Sequence, residues 1–102
     1  TIITQIAAGK NSIKLGSLTP TRDFNFVSDT CDAFMAVSES SNVIGKVINC
    51  ASNFEISIGD TALMIAEIMN QEISISEDKS RIRPKDSEVN RLFGDNQKLK
   101  RL

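Results

Sequence analysis

Arg81 and Arg83 flank Ile82 just before Pro84, and Asp86 follows Arg83 by three residues. Guanidinium groups offer planar, paired donors that match phosphate oxygens, and a carboxylate accepts well from a ribose diol. Arg22-Asp23 directly precedes Phe24-Asn25-Phe26-Val27, and Asn49 is embedded in the apolar run Val47-Ile48-Asn49-Cys50. An amide there can donate to a phosphate or pair with buried backbone. The candidates for binding are therefore Arg22, Asn49, Arg81, Arg83 and Asp86. Each also has a plainer reading: arginines in a charged loop solvate a surface, and Asn49 can be a satisfied structural amide.

Much other chemistry is excluded. The 102 residues include no His, Trp or Tyr, so histidine bases, Ser-His-Asp triads, His-containing metal sites and tyrosine acids cannot be built. The five glycines, at positions 9, 16, 45, 59 and 94, form no G-x-G pair, which removes the dinucleotide fingerprint and the P-loop. No serine stands in a G-x-S-x-G context. Cys31 and Cys50 sit in apolar company with no zinc spacing, and two buried, reduced thiols are expected. Twelve basic and 13 acidic residues leave a net charge of −1, so no field of one sign exists to attract nucleic acid or an anionic membrane. The cations of Lys98-Leu99-Lys100-Arg101 read as complements to a helix C-terminus. With no run near the ~20 apolar residues of a membrane span and no signal-peptide pattern, a cytoplasmic protein is expected.

Short elements must position the candidates. Ile2, Ile3, Ile6 and Ala7 recur at helical spacing, with Gly9 as a stop. Ile13 and Leu15 alternate with polar neighbours as a strand, residues 17–21 form a loop, and Phe24 and Phe26 mark a second extended stretch. Ser28 is expected to cap a helix over Asp29 to Glu39, and Lys46 to Ala51 alternates weakly as a strand. Ser57 with Asp60 resembles a capping box opening a helix from Ile58 to about Asn70. Ile73 and Ile75 alternate with Ser74 and Ser76 as a half-exposed strand, a charged loop follows, and Asp95 caps an incipient helix from Asn96 to Leu102. The order α-β-β-α-β-α-β-loop-α is an α/β pattern, and the length fits one domain. The two long helices are apolar nearly all round, as expected where further elements cover their second faces. Both ends look cut, and a piece of a larger protein is expected.

The segment Pro20-Thr21-Arg22-Asp23-Phe24-Asn25-Phe26-Val27-Ser28-Asp29-Thr30 resembles the P-x-R-D-[FWY]-x-[YF]-V-x-D stretch of extended short-chain dehydrogenase/reductases that act on sugar nucleotides. Gly45-Lys46-Val47-Ile48-Asn49 is similar to their G-x-x-[YFI]-N strand, and Ser57-Ile58-Gly59-Asp60 to the S-I-x-[ED]-L segment that follows. Arg83-Pro84-Lys85-Asp86-Ser87-Glu88-Val89, with Asp95-Asn96, resembles the R-P-x-x-S-E-V…D-N stretch of bacterial NAD-dependent 4,6-dehydratases for nucleotide-linked N-acetylhexosamines. The match runs unbroken along the chain.

The resemblance implies an α/β fold of mixed short strands and helices, the C-terminal portion of an extended Rossmann-type short-chain dehydrogenase/reductase. Residues 1–102 would form a single substrate-binding segment. NAD would be bound by an N-terminal portion, which would also carry a Thr/Ser and the Y-x-x-x-K pair. By position, Arg22 and Arg83 would clamp the pyrophosphate, Asn49 would donate to a phosphate, and Asp86 would accept from a ribose hydroxyl. The complete enzyme would be a 4,6-dehydratase for a UDP- or GDP-N-acetylhexosamine: hydride removal from sugar C4 by NAD, loss of water across C5–C6, hydride return to C6. The segment would supply binding and orientation, and alone is expected to be inactive. A 4-epimerase of the same family and a non-catalytic truncated product are the alternatives. The expected partner is a nucleotide sugar, with no nucleic acid and no membrane, and a homodimeric parent is left open.

Overall fold

The computed structural model describes residues 1–102. Its elements run α1 (Ile2–Ala7), β1 (Ser12–Leu15), β2 (Thr21–Arg22), α2 (Val27–Glu39), β3 (Ile56–Ser57), α3 (Ile58–Ile68), β4 (Ser74–Glu77) and α4 (Gln97–Lys100). They fall into two units: Thr1–Thr21 with Ile56–Arg91, and Arg22–Glu55 with Leu92–Leu102.

In the first unit, the alternation of Ile13 and Leu15 with Ser12 and Lys14 makes β1 and buries its apolar pair. β1 pairs in parallel with β4, Ser12 opposite Ser74 and Leu15 opposite Glu77. The other edge of β1 is met by a side chain. The Gln5 amide donates to the Lys14 carbonyl and accepts from the Lys14 N–H, both at 2.9 Å, so it satisfies backbone groups as a neighbouring strand would. Ala62 and Ala66, one helical turn apart, let α3 come close, and with Ile6, Ile13 and Leu15 they form the core.

The capping residue of α3 is the expected one. The Ser57 hydroxyl accepts from the Asp60 N–H at 3.1 Å, and Asp60 places its charge in the first turn. The helix ends at Ile68, short of Asn70, which adopts a left-handed φ of 54°. Gly16 is demanded by a close approach: a Cβ there would lie 2.7 Å from the Arg81 carbonyl oxygen. Thr21 donates to the Asn90 carbonyl at 2.8 Å and bridges Arg91 in parallel. Strand character thus falls on residues 21–22, inside and just after the expected loop, while residues 23–26 join no ladder.

The second unit differs more from expectation. α2 begins at Val27, and the Phe26 carbonyl accepts from the N–H groups of Asp29 and Thr30. Phe26 therefore occupies the N-cap without a side-chain bond, and Ser28 lies inside the first turn. Only Ala33 of this helix is buried; Phe34 and Met35 are exposed. The cysteines are unpaired, as expected, but not both buried. Cys31 is exposed on a helix that this unit covers on one side only, and Cys50 is half-buried. Residues 46–51 form no strand: the Lys46 N–H turns back to the Val43 carbonyl, and the carbonyls of Val47, Cys50 and Ala51 accept from side chains. α4 starts at Gln97 with Asn96 at its N-cap, while Asp95 accepts from the Gln97 N–H at 2.9 Å. No helix is long and apolar enough to cross a membrane.

Ser57→Ala should lower stability by about 1 kcal/mol, read as a lower urea midpoint at constant slope. An unchanged midpoint would show that the start of α3 does not depend on this cap.

Candidate functional site

Asn49 lies in an irregular segment held by side chains from remote parts of the second unit. The Lys98 ammonium donates to the Val47 carbonyl at 3.4 Å, the Asn25 amide to the Cys50 carbonyl at 3.3 Å, and the Asn96 amide to the Ala51 carbonyl at 2.9 Å. The next two residues are tied by Asp23. Its Oδ1 accepts from the Ser52 N–H at 2.8 Å and from the Ser52 hydroxyl, and its Oδ2 accepts from the Asn53 N–H at 3.1 Å. The same Oδ2 accepts from the Gly94 N–H at 3.2 Å. Asn53 takes a left-handed φ of 61°, which turns the chain after this anchor. Gly94 must be glycine because a Cβ there would overlap the Ala51 Cβ.

These bonds frame a cavity of about 380 Å³ lined by Asp23, Asn25, Asn49, Leu92, Phe93 and Gly94, with the chain from Ile48 to Ala51 as one wall. Two amides bring hydrogen-bonding groups to it, and Leu92 and Phe93 are half-exposed apolar walls. Phosphate and hydroxyl binding is the chemistry such groups support. Partial desolvation pushes the Asp23 carboxyl upward, but the hydrogen bonds from Ser52, Gly94 and Asn53 outweigh it and hold the pKa below the ordinary 3.8.

Arg22 sits half-buried at the end of β2 in the same unit as Asn49, although it does not line this cavity. Arg83 and Asp86 belong to the first unit, both exposed, the former before Pro84 and the latter in a short 3₁₀ turn over Lys85–Ser87. The two arginines around Ile82 are not equivalent. Asp78 caps the 3₁₀ turn Lys79–Arg81 by accepting from the Ser80 N–H at 3.0 Å, and its other oxygen lies 3.4 Å from Arg81 Nε. Arg81 is thus tied into its own turn. The hydrogen bonds from Ser80 also lower the Asp78 pKa. Asp23 is the residue whose importance sequence reasoning missed. It was visible beside Arg22, but nothing local shows that it grips positions 52, 53 and 94.

The residues present do not fit a nicotinamide dinucleotide. Gly16 at the end of β1 leads into a loop and then β2, not into a helix whose N–H groups could face a pyrophosphate. At the start of α3, the Ser57 hydroxyl already occupies the Asp60 N–H, and Asp60 adds negative charge.

The match to a family model along the whole chain and the likeness of its fold to solved structures place it in a class of Rossmann-like α/β proteins, the NAD-dependent epimerase/dehydratase superfamily. Residues 1–102 match the family model for GDP-mannose 4,6 dehydratase, and the chain belongs to that family. It is similar to UDP-glucuronic acid 4-epimerase from Bacillus cereus, solved with UDP-glucuronic acid and NAD, at 30% identity and a TM-score of 0.77, covering 99% of this chain and 31% of that one. An epimerase from the methanogen Methanothermobacter thermautotrophicus gives 25% identity and a TM-score of 0.77, covering 99% of this chain and 29% of the other. RMD from Pseudomonas aeruginosa, complexed with NADPH, gives 26% and 0.75, covering 95% and 31%. The chain thus spans about three tenths of the length of these proteins. No curated protein sequence matches it significantly.

Asp23 has a folded pKa below its unfolded value, so its stabilisation is fully present above pH 3.8 and is lost as the pH falls through the folded value. The stability gap between the wild-type protein and Asp23→Asn should be widest above pH 3.8 and narrow below it. Urea unfolding across the acid range measures it. A gap that widens on acidification would contradict the assignment.

Proposed function

We propose that the chain is the nucleotide-sugar-binding part of an NAD-dependent nucleotide-sugar epimerase/dehydratase, the C-terminal portion of the enzyme. The observation that carries this reading is the Asn49 cavity, whose wall is a segment held open by side chains and not closed into a sheet. Arg22 and Arg83 hold the pyrophosphate, Asn49 donates to a phosphate oxygen, and Asp86 accepts from a ribose hydroxyl. Arg83 supports its role by contrast with Arg81: it is exposed, and no carboxylate is bonded to it as Asp78 is to Arg81. NAD supplies hydride chemistry to the complete enzyme. This chain's own residues bind the remote diphosphate and so orient the sugar, which is where binding energy contributes to rate.

Two activities of one superfamily compete. The matching family model is that of a 4,6-dehydratase, whereas most of the similar solved structures are epimerases. The balance favours a nucleotide-sugar 4-epimerase over a 4,6-dehydratase. Product analysis on the complete enzyme separates them: a 4-epimer supports the first, and a 4-keto-6-deoxy sugar supports the second.

Arg22→Ala and Arg83→Ala should each weaken substrate binding by about 1.5–3 kcal/mol, the range for a hydrogen bond to a charged group. Steady-state kinetics of the complete enzyme reads this as a raised KM. Unchanged KM and kcat in both variants would sink the phosphate-clamp assignment.

A further inference from the structure

Asn49 owes its place to no β-ladder, since the residues around it are fixed by side chains. We propose that Asp23 is the positioning residue of this site: its carboxylate fixes the 50–53 segment against Gly94 and thereby sets the Asn49 amide that meets the substrate phosphate. The inference rests on the reading of Asn49 as a phosphate ligand.

Only an ionised carboxylate suits the position. Four donors converge on it, three backbone N–H groups and one hydroxyl, and a carboxylate is acceptor-only with capacity for all four. An asparagine serving Ser52 with its oxygen would turn its NH₂ toward the N–H groups of Asn53 and Gly94, donor against donor. The grip is also geometrically strict. Gly94 lies so close to Ala51 that no Cβ fits between them, so shifting one strand of chain shifts the other. Because Asp23 follows Arg22 directly, the same carboxylate fixes the backbone from which Arg22 projects. Two of the four proposed substrate contacts therefore share one anchor.

Asp23 lines the cavity yet acts indirectly. A carboxylate facing a diphosphate would repel it, but these oxygens are occupied by donors from the protein, which offset that charge locally. The substrate meets the amides, not the anion.

Calorimetric binding of UDP and of GDP to the complete enzyme tests this, with Asp23→Asn, Asn49→Ala and the double variant. Each single change should weaken binding of whichever nucleotide the wild type takes by about tenfold, as for one lost hydrogen bond to an anion. If Asp23 acts through Asn49, the double variant should be within about twofold of either single one, the sign of coupled residues. Ser52→Ala, which removes one of the four donors, gives the same cycle with a smaller perturbation should Asp23→Asn not fold. Additive losses would overturn the inference. So would wild-type binding by Asp23→Asn and Ser52→Ala while Asn49→Ala is weakened, and that outcome leaves the phosphate role of Asn49 standing. Wild-type binding by Asn49→Ala, or no binding of either nucleotide by the wild type, overturns that role and the inference together.

Discussion

One carboxylate organises the second unit. Asp23 collects donors from Ser52, Asn53 and Gly94, three positions brought together from two separate stretches of the chain. A core cannot do this work there, because Ala33 is the only hydrophobic residue of the unit that is buried. Where burial is scarce, charge-assisted hydrogen bonds and one tight glycine contact carry the local geometry. Asn96 adds to the same network: it is buried, its NH₂ serves Ala51, and its Oδ1 has no partner.

The first unit is built on the opposite principle. Ile6, Ile13, Leu15, Ala62 and Ala66 bury together, and a parallel strand pair with a close-packed helix follows from their spacing. This difference matters for function. A hydrophobic core tolerates no open cavity, whereas a segment laced by side chains leaves its wall available to a ligand. The proposed substrate contacts Arg22 and Asn49 sit in the laced unit, and Arg83 and Asp86 lie in an exposed loop of the packed one.

How far the sequence disclosed this depended on how local each signal was. The alternation of Ile13 and Leu15, the Gly9 stop and the Ser57 cap are written within a few residues, and each appears in the structure where expected. The strand expected from Lys46 to Ala51 failed for a non-local reason. Its alternation is real, but its partners are Asn25, Asn96 and Lys98, side chains that no period-2 pattern can announce. The start of α2 was misplaced because Ser28 is a good cap in isolation, while the carbonyl of Phe26 takes that role. Arg81 and Arg83 look alike in sequence, and only the position of Asp78 separates them. The motif resemblance pointed to Arg22, and the neighbouring Asp23 became meaningful only once its four donors were seen.

The most direct measurement follows the Asn49 side-chain amide by NMR while UDP or GDP is titrated into the complete enzyme. Saturable shifts of the Asn49 NH₂ resonances, accompanied by the backbone amides of Ser52 and Gly94, are the result expected of a phosphate held at this cavity. Saturable binding that leaves those resonances unmoved would contradict it.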